Sequence, residues 1–188
     1  MSKRAPPDAR RFRDTFGLFA TGVAVIVARA GEEAIAMTVN AVSSLSLEPM
    51  LAMFCPGRTS RFAQHVADIS GFSINFLRDE QQALSTFFAG GWQEAAPPPF
   101  RFVPSRSAMR LEGSLASIDC ERVQLLEMGD HWMVVGQVVD VHIGIAPHRP
   151  LLFFKGQYRG VDFSESTPAP DIANVRDEPF HIFYDGWD

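Results

Sequence analysis

The stretch 114–143 constrains this chain more than any other. Ser114 to Leu126 and His131 to Ile143 are two long extended runs, separated by Met128-Gly129-Asp130. A Gly-Asp pair between such runs is a hairpin signal. More strand-like runs precede it: Val23 to Arg29, a second strand from Ala34, Met50 to Cys55, and Phe72 to Leu77. Leu151 to Val161 reads as the last strand. Helices are fewer. Phe12, Phe16 and Phe19 stand at helical spacing before Thr21-Gly22, which stops a short helix. Thr59 or Ser60 is a good N-cap for a helix to about Ile69, and Asp79 caps another from Glu80 to Ala89, ending at Gly90-Gly91. Residues 92–106 carry four prolines and read as an irregular excursion. Seven or so strands with three inserted helices fit an α+β, mainly β, barrel-like domain better than an alternating βαβ fold. No G-x-G-x-x-G follows a strand and no Walker loop is present, so a Rossmann or P-loop reading has little support.

A chain of 188 residues suits one domain, and 46% hydrophobic content is enough for a core without disulfides. The expected division is a domain over 1–163 and a Pro-, Asp- and aromatic-rich extension over 164–188. The net charge of −5 argues against a nucleic-acid partner. Cys55 and Cys120 both lie in apolar, strand-like settings and read as reduced core thiols of a cytoplasmic protein. No C-x-x-C or metal-ligand spacing occurs. Met1 to Arg13 lacks the apolar core of a secretory signal, and the run Val23 to Ala28 is too short to cross a bilayer. The 16 phenylalanines point to a rich core, a large subunit interface or an aromatic ligand site.

Three constellations could carry chemistry. In Met37 to Leu47, one parity class holds Thr38, Asn40, Val42, Ser44 and Ser46. Small hydroxyl residues on a strand face let a flat ring approach the backbone. The same pattern also suits a solvated strand face. The second is Cys55-Pro56-Gly57-Arg58-Thr59-Ser60-Arg61, where a strand ends and a helix begins with two hydroxyls and two arginines. Such a terminus can hold a phosphate, or it can be an ordinary cap with surface arginines. The third is Gly129-Asp130-His131. There His131 could contact an anionic cofactor, with Asp130 favouring its charged form, or be a surface residue beside a turn of type I′. No G-x-S-x-G exists for nucleophilic hydrolysis.

Together these pieces resemble the flavin reductase family, the NAD(P)H:flavin oxidoreductases that serve two-component monooxygenases. The resemblance runs in order from about Phe12 to Val161. It takes in Phe19-Ala20-Thr21-Gly22-Val23, then Met37 to Pro49, which is similar to the family's G-M-T-x-N-S-x-x-S-x-S-x-x-P-P. Gly71-Phe72-Ser73-Ile74-Asn75-Phe76-Leu77, Phe87-Phe88-Ala89, Gly129-Asp130-His131, Gly136-Gln137-Val138 and Pro150 to Arg159 follow. The resemblance implies an FMN-binding split β-barrel forming a homodimer, with the flavin near the subunit interface. Met37, Thr38, Val39 and Asn40 would then line the ring, and Ser43 and Ser44 the ring or ribityl chain. Cys55, Pro56, Arg58, Thr59, Ser60 and Arg61 would receive the phosphate, Ser60 and Arg58 foremost. Phe88 would cover the site. His131 would contact the nicotinamide nucleotide.

The implied reaction is hydride transfer from NADH or NADPH to FMN or FAD, with reduced flavin passed to an oxygenase component. No general base is needed, in keeping with the lack of a catalytic dyad. Two alternatives share the fold: an FMN-bound reductase of another acceptor, such as a corrinoid or ferric complex, and a non-catalytic flavin-binding carrier or sensor. Ala36, Ala41 and Met50 stand where the family usually has glycine, serine and proline. These departures bear on flavin affinity and on the choice between FMN and FAD.

Overall fold

The computed structural model describes residues 8–31, 33–145 and 149–161. Twelve strands occur among them: β1 (Thr21–Gly22), β2 (Ala24–Ala30), β3 (Glu33–Val39), β4 (Val42–Leu47), β5 (Met50–Phe54), β6 (Gly71–Phe76), β7 (Phe102–Pro104), β8 (Met109–Leu111), β9 (Ala116–Met128), β10 (His131–Ile143), β11 (Leu152–Phe154) and β12 (Gln157–Arg159). Helix α1 (Ala9–Phe16) precedes them, and α2 (Gln82–Phe88) follows β6. Seven strands form the main sheet, in the order β3-β2-β6-β9-β10-β5-β4, with every neighbouring pair antiparallel.

That order has a geometric consequence. β3 and β4 are opposite edges of the sheet, yet only Asn40 and Ala41 separate them in the chain. Six strand spacings would put the edges of a flat sheet ~29 Å apart. The three Cα steps from Val39 to Val42 reach at most ~11 Å. The sheet must therefore roll until its edges meet at this link. The two edges are not hydrogen-bonded to each other, so the roll stays open along a seam.

Strand alternation then sorts residues into an inside and an outside. Inside are Ala24, Ile26, Ala28, Ala52, Phe54, Phe72, Ile74, Cys120 and Val134, with Phe54 and Phe72 edge-on at 4.9 Å. Phe62, Val66 and Ile69, from the segment between β5 and β6, pack into the same core. Outside, a second core gathers Val23, Val25, Val27, Leu77, Leu84, Leu111 and Leu151 beneath α2 and the strands β8 and β11. β2 is buried on both faces, which explains why its sequence is a continuous apolar run rather than an alternating one. Gly136 of β10 is required by packing: a Cβ there would meet the Phe72 ring at 2.6 Å and Cys120 Cβ at 2.7 Å.

Several expected boundaries differ, each for a physical reason. Met37–Leu47 is two strands at opposite sheet edges, not one, because Asn40-Ala41 turns the seam. The segment after Ser60 makes no α-helix. Its backbone bonds run from each N–H to the carbonyl three residues back, around a 3-10 turn at Phe62–His65 that carries Phe62 into the core. The helix expected from Glu80 to Ala89 begins as a 3-10 turn at Asp79–Gln81 and is α-helical only over Gln82–Phe88. Leu151–Val161 is a hairpin. Lys155 (φ 50) and Gly156 (φ 73) are both left-handed, as a type I′ turn requires. At Gly129-Asp130 only Gly129 has a positive φ, 62°, so that turn follows type II′ instead of type I′. The long strand expected from Ser114 begins at Ala116 and runs to Met128. Residues 164–188, the expected extension, lie outside the described residues.

Asn75 ties the two faces together. It is fully buried on the outer side of β6. Its Nδ2 donates to the Val25 carbonyl at 2.9 Å and to Ser73 Oγ at 2.8 Å. Its Oδ1 accepts from Leu111 N and Ser117 Oγ, both at 2.9 Å. One amide thus links β2, β6, β8 and β9. Replacing it leaves a buried carbonyl and a buried N–H without partners, so Asn75→Ala is expected to cost about 2–4 kcal/mol in urea unfolding. A loss below about 1 kcal/mol would show that water replaces the amide.

Candidate functional site

The inner core does not fill the roll. At the end nearest the seam the inward side chains include two alanines, Ala24 and Ala52, beside Ile74, Ile118 and Val138. They floor a cavity of about 1820 Å³. That exceeds the ~300–1,000 Å³ of an ordinary ligand pocket. One wall is α1 and the turn after it, and no residue of α1 is buried. Phe12 is 56% exposed and Phe19 71%. The Lys155 N–H donates to the Gly17 carbonyl at 2.9 Å, fixing the end of α1 to the β11–β12 turn.

The rim is polar. Asn40, Ser43, Ser44 and Ser46 line it from the seam and β4, and His131 from β10. Asn40 Nδ2 donates to Thr21 Oγ1 at 3.3 Å, and Ser43 Oγ to the Ser44 carbonyl at 2.8 Å. Met37, Thr38, Val39, the segment 55–61 and Phe88 do not line this cavity. Alternation in β3 is the reason for the first three. Met37 and Val39 turn into the inner core. Thr38 turns outward, where its hydroxyl donates to the Ser85 carbonyl of α2 at 2.7 Å. Phe88 packs on the outer core in a ring cluster with Phe87, Phe100 and Phe102.

The segment 55–61 lies against the β9–β10 hairpin. Cys55 N donates to the Ala41 carbonyl at 3.1 Å, joining it to the seam. Trp132 N donates to the Pro56 carbonyl and Arg58 N to the Asp130 carbonyl, both at 2.9 Å. Gly57 faces His131 across a β-bridge. Ser60 Oγ accepts from Ala63 N at 3.2 Å, while Thr59 and Arg61 are exposed. Three sequence-distant pieces are thus brought side by side: Asn40-Ala41, Cys55–Ser60 and Asp130-His131. His131 Nδ1 and Asp130 Oδ1 are 2.8 Å apart. The hydrogen bond from His131, and then its charge, hold the Asp130 carboxyl below its ordinary range. Sequence reasoning missed Thr21, Lys155 and residues Arg11 to Phe16 of α1 as cavity wall. The Phe12, Phe16 and Phe19 stripe was their only signal, and a stripe does not say what it faces.

The sequence profile of the flavin reductase like domain matches residues 16–162. The chain belongs to the flavin reductase-like family. Among curated relatives it is 36% identical over 172 residues to the flavin-dependent monooxygenase reductase subunit HsaB of Rhodococcus jostii, covering 87% of this chain and 83% of that one. It is 33% identical over 156 residues to the NADH-dependent FMN reductase AsuE2 of Streptomyces nodosus subsp. asukaensis, covering 81% and 84%. Among solved structures it resembles nitrilotriacetate monooxygenase component B from Mycobacterium thermoresistibile. That match has a TM-score of 0.78 and 33% identity, covering 86% of this chain and 90% of that one. In this flavin reductase-like chain no group of three or more metal-ligating side chains occurs among the described residues. Nor is any helix there long and apolar enough to cross a membrane.

Both cysteines are free. Burial pushes the Cys55 thiol up from its usual range, and burial with the neighbouring Asp119 charge pushes Cys120 up to about 12. Thiolate is the reactive form. At mildly alkaline pH a disulfide reagent is therefore expected to label Cys55 slowly and Cys120 only after denaturation. Rapid labelling of both in the native protein would contradict the burial described.

Proposed function

We propose that this chain is an NADH- or NADPH-dependent flavin reductase that reduces FMN or FAD for a partner flavin-dependent oxygenase. The observation that carries the reading is the cavity at the seam, set in a flavin reductase-like fold. Its floor of small and aliphatic side chains suits a flat ring, and its rim offers the Asn40 amide and the Ser43 and Ser44 hydroxyls to the ring's polar edge. The relatives named as monooxygenase reductase components and as an NADH-dependent FMN reductase support the same reading.

Flavin and nicotinamide supply the redox chemistry when bound, by passage of a hydride from one to the other. The protein's part is to hold, orient and exclude water. Asn40, Ser43 and Ser44 would bind the flavin's polar edge, and the small side chains of Ala24 and Ala52 leave space beside it. At the seam the Asn40 backbone would pair with the ring, the Ala41 carbonyl being taken by Cys55 N and Val39 by the β2–β3 ladder. Ser60 and Arg61 would meet the phosphate. Met37, Thr38, Val39, Cys55, Pro56, Thr59 and Phe88 would shape the surroundings through their packing. His131 Nδ1 is engaged by Asp130, and Nε2, which lies beside Gly57, would be left to meet an incoming nucleotide.

The reading extends to assembly. Phe12, Phe16, Leu18, Phe19, Leu47 and Met50 are exposed large apolar side chains, and all line the cavity. A monomer rarely leaves so much apolar surface uncovered in one place. We take a second copy of the chain to cover it, completing a split barrel with the flavin near the interface. Residues 1–163 would form the domain and 164–188 an extension. Two free thiols suit a cytoplasmic setting.

The test is nicotinamide oxidation by the purified protein, followed by absorbance, with and without added FMN or FAD. Oxidation should rise hyperbolically with flavin. None with either nicotinamide would refute the reading. His131→Ala is expected to raise the KM for NADH roughly fivefold or more while changing flavin affinity less. Unchanged steady-state constants would remove His131 from the site. Size-exclusion chromatography with light scattering should return twice the chain mass.

A further inference from the structure

Arg58 and Arg61 both stand in the segment that the sequence offers to a phosphate, but the structure treats them differently. The Arg58 side chain forms an ion pair with Glu127 of β9. Its Nη1 also donates to the Gly129 carbonyl at 3.3 Å. Its guanidinium carbon lies 5.6 Å from the centre of the Trp132 ring. Its backbone N–H donates to Asp130. Every one of these partners belongs to the β9–β10 hairpin, on either side of His131. Arg61 forms no ion pair among the described residues, and its guanidinium end lies 3.7 Å from where a side chain on Gly90 would begin.

We propose that Arg58 is a positioning residue that clamps the Pro56–Arg61 segment to the β9–β10 hairpin, leaving Arg61 as the arginine that meets an anionic group. The proposal rests on the reading above, that a flavin and a nicotinamide cofactor meet here. An exposed ion pair alone contributes little, and both partners are about half exposed, 43% and 54%. What distinguishes Arg58 is the number of contacts that converge on one turn: ion pair, carbonyl bond, ring stacking and backbone bond. Turning the side chain towards a phosphate would break three of them together. The clamp also has a functional direction. Gly57 is bridged to His131, so whatever fixes the segment fixes His131. A change at Arg58 therefore reaches the nicotinamide through His131, and reaches the flavin phosphate only by loosening the segment that carries Ser60 and Arg61.

The experiment compares Arg58→Gln, Glu127→Gln, Arg61→Gln and the charge exchange Arg58→Glu/Glu127→Arg in the full chain. KM and kcat are measured for NADH, and for FMN against riboflavin, which lacks the phosphate. Arg58→Gln and Glu127→Gln are expected to raise the NADH KM in the same direction, about three- to tenfold, with kcat little changed. Each should lower the preference for FMN over riboflavin less than Arg61→Gln does. Arg61→Gln should lower that preference. The charge exchange should recover part of the lost NADH affinity. Loss of FMN preference in Arg58→Gln as large as in Arg61→Gln, with none in Glu127→Gln, would overturn the clamp, because it would make Arg58 a direct phosphate contact. So would an unchanged NADH KM in both Arg58→Gln and Glu127→Gln. A second readout needs no turnover: the imidazole NMR signals of His131 should shift in Arg58→Gln and Glu127→Gln but not in Arg61→Gln. Wild-type protein that oxidises no nicotinamide would remove the flavin reductase reading. The His131 signals would still decide the clamp, and their constancy in all three variants would overturn it.

Discussion

Two residues, Asn40 and Ala41, join strands that the hydrogen-bond ladder puts at opposite ends of a seven-stranded sheet. A chain cannot bridge that gap unless the sheet rolls, and nearly everything else follows from the roll. It separates an inner core from an outer one and gives β2 two buried faces. It also leaves a seam where the two edges approach without pairing. A seam is where backbone donors and acceptors remain available, and such unpaired edges ordinarily invite another chain or a ligand. The candidate site lies there for that reason.

The site is the loosely filled end of a firmly built molecule. In the inner core Phe54 interlocks with Phe62 and Phe72, and Val66 and Ile69 join the same cluster. On the outer face the Asn75 amide fixes four strands with four hydrogen bonds. Around the cavity the inward positions carry Ala24 and Ala52, and no helix among the described residues fills the space. Large side chains there would have stabilised the isolated chain by more burial. Their absence leaves a cavity, and a fold can tolerate one when the ordered elements around it are held by other contacts.

Electrostatics in the site is local. The chain is acidic overall, with a net charge of −5, so an anionic cofactor gains nothing from a long-range field. The side chains that matter sit on one short segment and one hairpin, and backbone hydrogen bonds lock the two together. Asp130 Oδ1 meets His131 Nδ1, and the Asp130 carbonyl accepts from Arg58 N of the segment. A positive side chain near a site is thus no evidence that it binds there, since Arg58 has its partners inside the protein.

Much of the fold was legible in the residues. The continuous apolar run of β2, the long pair β9 and β10, and the turn at Gly129-Asp130 are local signals, written in side-chain period and turn chemistry. The ordered motifs from Phe12 to Val161 carried the family, because each fixes a residue type at a backbone position that the fold requires. What the residues could not fix was partnership. Alternation says that Thr38 and Met37 face opposite ways, but not that one meets α2 and the other the core. A Phe stripe on α1 looks the same whether it is buried or, as here, exposed along a cavity. The break at Asn40-Ala41 was invisible because both flanking segments are extended and only pairing tells them apart. The sequence by itself determined the strands, the hairpins and the family. The tertiary structure alone decided the seam, the cavity and the partners of Arg58, because these depend on contacts between residues far apart in the chain.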